Sequence, residues 1–174
     1  MEIADLVTDS YNVDSSNSSS SPSSLQEQEL PSLTDQDITN AACGQVSSGV
    51  VNLTSNLNCS GDGIIVGGPN TVINMNGFSI MGPGADRSKV GIMASNVDNV
   101  TINGPGSINN FQAGILLTGA NGFKLGSTTL ENNQIAIFMT GANNAKVQLN
   151  MIQNNHIGVA SHSSSGSKNK IKSF

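Results

Sequence analysis

The carboxylates that follow residue 42 are the first residues to consider for catalysis. Hydrolysis or elimination on a polysaccharide needs paired carboxylates, or acids that hold Ca²⁺ beside a basic residue. The chain after residue 42 offers four acids at unrelated positions of the repeat described below: Asp62, Asp86, Asp98 and Glu131. The sequence therefore favours a protein that is not an enzyme, and we assign no catalytic residue.

One local cluster of charge could bind a ligand. Asp86, Arg87 and Lys89 lie in the segment 82–90, which is rich in Gly and Pro and interrupts the repeats as an inserted loop. Loops vary without disturbing the scaffold that carries them, so they often hold binding residues. These three residues are therefore candidate ligand contacts; the alternative is a solvated loop that merely bears charge.

A column of lysines is the second candidate for binding. Lys124 and Lys146 stand at one repeat position, and Lys168 or Lys170 continues the column. Such a column could contact an anionic polysaccharide. It could equally keep the sheet face solvated and discourage pairing of sheet edges.

Metal ligands are sparse in this sequence. His156 and His162 are close in sequence with Met151 nearby, but a copper site needs such ligands to converge on one point. His156 aligns with Gln134 at a corner of the repeat, and His162 lies in a Ser-rich segment. We therefore expect no metal and no cofactor. The two cysteines, Cys43 and Cys59, either pair or are two buried thiols.

Charge divides the chain into two parts. Residues 1–42 hold eight acids and no Lys or Arg, and they include the low-complexity run 15–24, which cannot build a core. We predict a disordered acidic tail or linker over 1–42. The rest holds four acids and seven bases without a basic cluster interleaved with aromatics, which argues against nucleic-acid binding. No apolar run is long enough to span a membrane.

An internal repeat organises the remainder. Residues 113–134 overlay 135–156 with eight identities. Similar units precede them, with Gly91 aligned to Gly114 and Gly63 aligned to Gly91. Apolar residues alternate within each unit, which indicates short strands with one face inward. A unit of this length with about three strands is typical of one coil of a parallel β-helix.

The predicted fold is therefore all-β, a right-handed single-stranded parallel β-helix of about 4–5 coils, each of about 22–28 residues. The domain is predicted to cover 43–174, with an N-terminal cap at 43–62 and coils over 63–174 that stop partway through a turn. Asparagine accepts left-handed backbone angles and its amide can bond to the next coil, so Asn pairs suit the corners. The predicted corner pairs are Asn109 and Asn110, Asn132 and Asn133, and Asn154 and Asn155.

The repeats resemble the right-handed parallel β-helix proteins of the pectin-lyase-like superfamily, including the carbohydrate-binding and sugar-hydrolase repeats of NosD-type proteins. The resemblance covers 43–174 and is carried by the opening 53–66 and by the strand motif 72–80. It implies that Cys43 and Cys59 form a disulfide that clips the N-terminal cap, and that the protein is secreted or at the cell surface. Superfamily members include lyases, glycosidases and adhesins, so the fold alone does not decide the activity.

These observations lead to one expected function and two alternatives. We expect a non-catalytic extracellular or cell-surface module, structural or carbohydrate-binding, whose partners are polysaccharides or other surface proteins. The alternatives are a remnant of a polysaccharide lyase or glycosidase, and a NosD-like periplasmic copper-maturation protein. No signal peptide is visible after Met1, and an uncapped last coil would expose a sheet edge. We therefore expect a fragment whose β-helix continues beyond Phe174, or a partner that caps it.

Overall fold

The computed structural model describes residues 38–162 and 170–173, which form strands and turns. The predicted tail up to residue 37 lies outside this part of the chain. No helix among the described residues is long and apolar enough to cross a membrane. The strands are β1 (Ile38–Asn40), β2 (Val46–Ser47), β3 (Val50–Asn52), β4 (Leu57–Asn58), β5 (Ile64–Val66), β6 (Val72–Asn74), β7 (Ser79–Met81), β8 (Val90–Ser95), β9 (Thr101–Asn109), β10 (Ala113–Thr118), β11 (Lys124–Glu131), β12 (Ile135–Thr140), β13 (Lys146–Gln153), β14 (Ile157–His162) and β15 (Lys170–Ser173).

The strands stack into two parallel sheets. The nine-stranded sheet runs β1-β3-β6-β9-β11-β13-β15, with β4 paired to β7 and β7 paired to β9 beside this path. The six-stranded sheet runs β14-β12-β10-β8-β5-β2. Because the chain visits both sheets once in every turn, it forms a parallel β-solenoid of about five turns. The predicted all-β parallel β-helix is confirmed.

The register between coils follows the repeat found in the sequence. In the six-stranded sheet Ile64 pairs with Ile92, and Ile92 pairs with Ile115. Ile115 then pairs with Ile137, and Ile137 with Val159. Every one of these pairs agrees with the alignment predicted from the sequence. The residues directly before this column form a second column: Gly63, Gly91, Gly114, Ala136 and Gly158.

Stacked aliphatic side chains fill the space between the sheets. Ile92, Ile115 and Ile137 are fully buried, one above another, and most other inward positions of the strands are buried as well. Phe111 and Phe123 are also fully buried, at the turns between strands. Each fully buried side chain of this size contributes about 1.5–3 kcal/mol by leaving water. A core built of thin layers explains why so few aromatic residues suffice.

Left-handed asparagines form one corner of the solenoid. Asn110, Asn132 and Asn154 have φ of 61°, 56° and 55° and follow one another up the stack. Asn109, which the sequence alignment placed opposite Asn132, pairs instead with Glu131. The alignment was one residue out because β9 contains an extra residue, visible as a register shift between Gly126 and Thr128 of β11.

The next position of the same corner carries buried amides. Asn133 is 2% exposed, and its Oδ1 accepts a hydrogen bond from the Phe111 N–H at 3.0 Å. Its Nδ2 donates to the Ile108 carbonyl and to the Oδ1 of Asn155, at 3.1 Å each. The amide of Asn155 in turn donates to the Leu130 carbonyl at 2.8 Å. These side chains satisfy backbone groups that the sharp turn leaves without strand partners.

The N-terminal end of the described chain already takes part in the solenoid. Strand β1 pairs with β3, so Ile38–Asn40, which precede Cys43, belong to the nine-stranded sheet. The segment predicted as a cap, 43–62, contributes β2, β3 and β4, which pair in register with β5, β6 and β7. It is therefore a coil of the solenoid.

A disulfide joins Cys43 and Cys59, whose Cα atoms are 5.4 Å apart. It links the connection between β1 and β2 to the residue that follows β4, and so ties the abbreviated first turn to the next coil. Cross-linking a loop of this length contributes about 3 kcal/mol in the chain-entropy estimate.

Candidate functional site

The loop between β7 and β8 leaves the stack at the asparagine corner. Met81 pairs with Asn109, so Gly82 occupies the repeat position of Asn110. Backbone hydrogen bonds hold the loop there: the Gly82 N–H donates to the Asn109 carbonyl at 2.9 Å, and the Gly84 N–H donates to the Asn110 carbonyl at 3.0 Å. At the other end the Gln112 N–H donates to the Lys89 carbonyl at 2.9 Å. The inserted loop therefore lies against the corner column.

An open groove of about 530 Å³ separates this loop from the corner column. Ala85 and Asp86 form the loop side, and the coils on the other side contribute amides and an imidazole. Gln134 and His156 lie in adjacent coils and stack at one repeat position, as do Asn132 and Asn154. The full lining is Ala85, Asp86, Asn132, Asn133, Gln134, Asn154 and His156. The volume falls in the range of small-molecule sites.

Five of the polar side chains that line the groove are free to bind. Those of Asp86, Asn132, Gln134, Asn154 and His156 have no hydrogen-bond or ion-pair partner within the described part of the chain, and all five are exposed. Asn133 is different because its amide already bonds to the Phe111 N–H, to the Ile108 carbonyl and to Asn155. The groove thus collects donors and acceptors that the fold does not use.

The other three acids of the described chain serve the solenoid itself. The Oδ1 of Asp62 accepts a hydrogen bond from the Val90 N–H at 2.9 Å. Asp98 accepts from the backbone N–H and the side-chain amide of Asn121, at 2.8 and 3.0 Å. Glu131 accepts from the Gln153 amide at 2.9 Å. These carboxylates lie at separate places on the stack, and Asp86 is the one that lines the groove.

The remaining candidate residues of the loop point elsewhere. Arg87 is exposed and does not line the groove. The Lys89 Nζ lies 3.9 Å from the Asp62 Oδ2, where it forms an ion pair at the base of the loop. The three predicted contact residues therefore lie in different places. Asp86 lines the groove, Arg87 is exposed away from it, and the ion pair of Lys89 with Asp62 links the loop to the preceding coil.

The lysine column lies on the outer face of the nine-stranded sheet. Lys124 pairs with Lys146, and Lys146 pairs with Lys170 of β15. Lys124 and Lys146 are both exposed, and they border a second depression of about 250 Å³. This surface is a separate part of the molecule from the groove, since the two share no lining residue.

The candidate metal ligands are not brought together. Among residues 38–162 and 170–173, no group of three or more His, Cys, Asp or Glu side chains is placed to hold a metal ion. His156 lines the groove, whereas His162 ends β14 on the six-stranded sheet. Met151 is exposed on β13 of the other sheet.

The sequence alone does not indicate the groove. It identifies Gln134 and His156 as corner residues and gives Asn132 and Asn154 a structural role. A signal was present: the inserted loop begins at the repeat position of the left-handed asparagines. Hydrogen bonds to the Asn109 and Asn110 carbonyls hold this insertion against the same corner of the next coil.

The groove can do a limited kind of chemistry. Amides supply both donors and acceptors, a carboxylate accepts from hydroxyls, and an imidazole does either. Such a set suits a ligand rich in hydroxyl groups. Comparison of the chain with protein-family models, with curated proteins and with solved structures finds no match, so the fold and the groove rest on the geometry alone.

Proposed function

We propose that this protein is a non-catalytic carbohydrate-binding module that contacts polysaccharide through the groove beside the loop 82–89. The observation that carries the proposal is the set of five polar side chains that converge on the groove without partners of their own among the described residues. A groove of this volume on which polar side chains converge is a candidate binding site.

The spacing of the groove side chains supports a polymeric ligand. Asn132 and Asn154 occupy equivalent positions in adjacent coils, as do Gln134 and His156. Adjacent strands lie about 4.8 Å apart, so the asparagine amide recurs at that interval along the solenoid axis, with an amide or an imidazole at the second position. A polysaccharide also presents its hydroxyls at regular intervals, and it can therefore repeat the same contacts from one coil to the next.

A location outside the cytoplasm and a place in the pectin-lyase-like superfamily belong to this proposal. Disulfides persist in oxidising compartments, and the Cys43–Cys59 bond agrees with secretion or display at the cell surface. Short coils stacked in parallel sheets agree with the superfamily that the repeats resemble.

Binding without turnover is the expected activity because of the acids that the groove contains. A glycosidase uses two carboxylates about 5–9.5 Å apart. Asp86 is the single carboxylate among the described residues that line the groove. Asp62, Asp98 and Glu131 bond to other parts of the solenoid.

Calorimetric titration of the full chain with soluble polysaccharides tests the proposal. We would use an uncharged β-glucan and polygalacturonate, and we expect saturable binding to at least one of them. The double variant Gln134→Ala/His156→Ala removes two side chains that the fold does not use, so the folded state should persist. Because each lost hydrogen bond costs about 0.5–1.5 kcal/mol, affinity should fall by about tenfold.

Asn144→Gly is the matched control. Asn144 is exposed and left-handed, with φ of 57°, like the groove asparagines, but it lies outside the groove. Its affinity should equal that of the unmodified chain. Equal affinity of the double variant and the control would contradict the proposal. Turnover of either polymer that disappears in Asp86→Ala would favour the lyase or glycosidase alternative.

A further inference from the structure

The second depression lies on the outer face of the nine-stranded sheet and has a different character from the groove. Three paired residues on the outer face of β9, β11 and β13 cross this depression: Asn103, Gly126 and Gln148. Because the residue of the middle strand is glycine, no side chain projects from the centre. Lys124 and Lys146 border one side. We call this surface the lysine–leucine patch, and its lining is Thr101, Ile102, Asn103, Lys124, Leu125, Gly126, Lys146, Gln148 and Leu149.

Gly126 leaves the depression open although the fold does not require a glycine at this position. A Cβ added to Gly126 would meet one atom within 4 Å, the Gln148 carbonyl oxygen at 3.9 Å, which is ordinary van der Waals contact. Glycine in a strand also costs conformational entropy relative to alanine. The space above Gly126 is therefore open on a strand whose backbone would also accept a side chain.

Leu149 is the second unusual residue of the patch. It is 71% exposed, and its φ of 57° lies in the left-handed region that L-residues other than Asn and Asp seldom adopt. In the preceding coil the same position is Ser127, which is also exposed and left-handed, with φ of 56°. The backbone therefore does not need a leucine here. An exposed apolar side chain held in a strained conformation is a reason to look for a binding partner.

The charge of the patch is positive. Lys124 and Lys146 are exposed in adjacent coils, and no acidic residue is among the described residues that line the depression. Like charges directly opposite each other on neighbouring strands are unfavourable. The partner that relieves this repulsion must carry carboxylates or other anionic groups.

We propose that the lysine–leucine patch binds an acidic segment of a partner protein. Its carboxylates would pair with Lys124 and Lys146, and one apolar side chain would lie over Gly126 against Leu149. An anionic polysaccharide would pair with the lysines, but it carries no aliphatic side chain to fill the open space above Gly126 beside Leu149. A peptide that combines acidic and apolar side chains complements both features of the patch. This site is independent of the groove and of its proposed ligand.

Fluorescence anisotropy with short labelled peptides tests this proposal on the full chain. The probe is Asp-Glu-Leu-Asp-Glu, and two matched peptides dissect it: Asn-Gln-Leu-Asn-Gln lacks the charge, and Asp-Glu-Ser-Asp-Glu lacks the apolar side chain. We expect the first peptide to bind with the highest affinity and its binding to weaken as salt is raised. Loss of either feature should weaken binding by at least about threefold.

Variants of the protein identify the surface. Lys124→Gln/Lys146→Gln should weaken peptide binding by about tenfold, and Leu149→Ser by about threefold. Leu149→Ser reproduces the preceding coil, so it should fold. Gly126→Leu fills the depression without a clash on its Cβ and should also weaken binding.

Two control variants lie away from the patch. Met151→Thr replaces another exposed apolar residue of β13 by the residue that stands in the preceding coil. Arg87→Gln removes an exposed cation of the loop. Both should bind the probe as the unmodified chain does.

Three results would overturn the proposal. The first is that the Asp-Glu-Leu-Asp-Glu peptide does not bind saturably. The second is that Leu149→Ser and Met151→Thr reduce the affinity for this peptide equally. The third is that the acidic peptides with leucine and with serine bind with equal affinity. If polygalacturonate binding depends on the two lysines while peptide binding does not, the patch is a glycan surface. Because the groove variant Gln134→Ala/His156→Ala leaves this patch intact, failure here leaves the carbohydrate proposal standing.

Discussion

Gly91 in β8 and Gly126 in β11 occupy strands of the same solenoid, but their surroundings are opposite. A Cβ on Gly91 would lie 2.5 Å from the Gly114 carbonyl oxygen and 2.5 Å from the Ile108 Cγ2. A Cβ on Gly126 would meet one atom within 4 Å, at 3.9 Å. At Gly91 the coils approach so closely that no side chain fits, whereas at Gly126 the surface is open to solvent. The fold demands the first glycine and tolerates replacement of the second.

The same contrast divides two neighbouring asparagines. The Asn133 amide bonds to the Phe111 N–H, to the Ile108 carbonyl and to Asn155, whereas the Asn132 side chain has no partner in the described chain. Residue type alone therefore does not separate structural positions from functional ones. The contacts of each side chain separate them: the fold holds the Asn133 amide, whereas the Asn132 amide is free to bind a ligand.

The largest effect is expected for Gly91→Ala. The new methyl group clashes with backbone and with a core isoleucine, so at least one coil must shift. Overpacking of this kind costs about 3 kcal/mol or more in the free energy of unfolding. Urea unfolding followed by circular dichroism measures this free energy. A variant as stable as the unmodified chain would show that the coils move apart easily, and the contrast with Gly126 would fail.

Asn133→Ala should have the next largest effect. The substitution leaves the Phe111 N–H and the Ile108 carbonyl without these partners at a buried corner. An unsatisfied buried polar group costs about 1–3 kcal/mol, so we expect a loss of about 2 kcal/mol. The same unfolding experiment measures it. A loss below about 0.5 kcal/mol, the level of ordinary surface substitutions, would mean that water replaces the amide.

Asn132→Gly should cost little stability. Glycine adopts the left-handed φ of this corner without strain, which stabilises the folded state. Glycine also raises the conformational entropy of the unfolded chain, which destabilises the folded state by a similar amount. The net change in the free energy of unfolding should therefore stay within about 0.5 kcal/mol. Polysaccharide affinity should fall even so, because the amide lines the groove. Comparison of unfolding curves with calorimetric titrations separates the two effects. A large loss of stability would place Asn132 with the structural residues.

The smallest change in stability is expected for Gly126→Ala and for its companion Gly158→Ala. The nearest atom to a Cβ at Gly158 is the Ile152 Cγ2 at 3.6 Å, an ordinary contact. Gly158 belongs to the same column as Gly91, so the pair tests whether the close approach is confined to the earlier coils. Both variants should unfold within about 0.5 kcal/mol of the unmodified chain. Destabilisation of Gly158→Ala comparable with that of Gly91→Ala would show that the close approach also occurs at the coil of Gly158.

Much of the fold could be predicted because apolar side chains recur at equivalent positions of successive repeats. The column of Ile92, Ile115 and Ile137 and the glycines before it follow directly from alternation and from the identities between successive units. Where the repeat signal is interrupted, prediction was less successful. The extra residue in β9 moved Asn109 by one position, and the apolar spacing records it: Ile102 and Ile108 are six residues apart, whereas their partners Leu125 and Leu130 are five apart.

The first turn and the groove were beyond sequence reasoning for different reasons. The Gly44 N–H donates to the Gly63 carbonyl at 2.6 Å, which places Gly44 in the glycine column. This coil is shorter than the later ones, and its identities with the next coil, such as Val50 with Val72 and Asn52 with Asn74, are few. The groove depends on how the loop folds back over later coils. The repeat aligns His156 with Gln134, but Asp86 lies in an insertion outside the repeat, so the repeat pattern could not place it opposite them.

The sequence offset between paired residues is the same for β10 with β12 as for β11 with β13, and this bears on how the length of the solenoid can change. Because Ile115 is offset from Ile137 by as much as Leu125 is from Val147, duplication of a segment of that length inserts one complete coil without disturbing its neighbours. Each insertion lengthens the axis by about 4.8 Å and adds one more copy of every outward-facing group. The gene can therefore lengthen or shorten the protein in whole steps, and the reach of its surface grows in proportion to the number of copies.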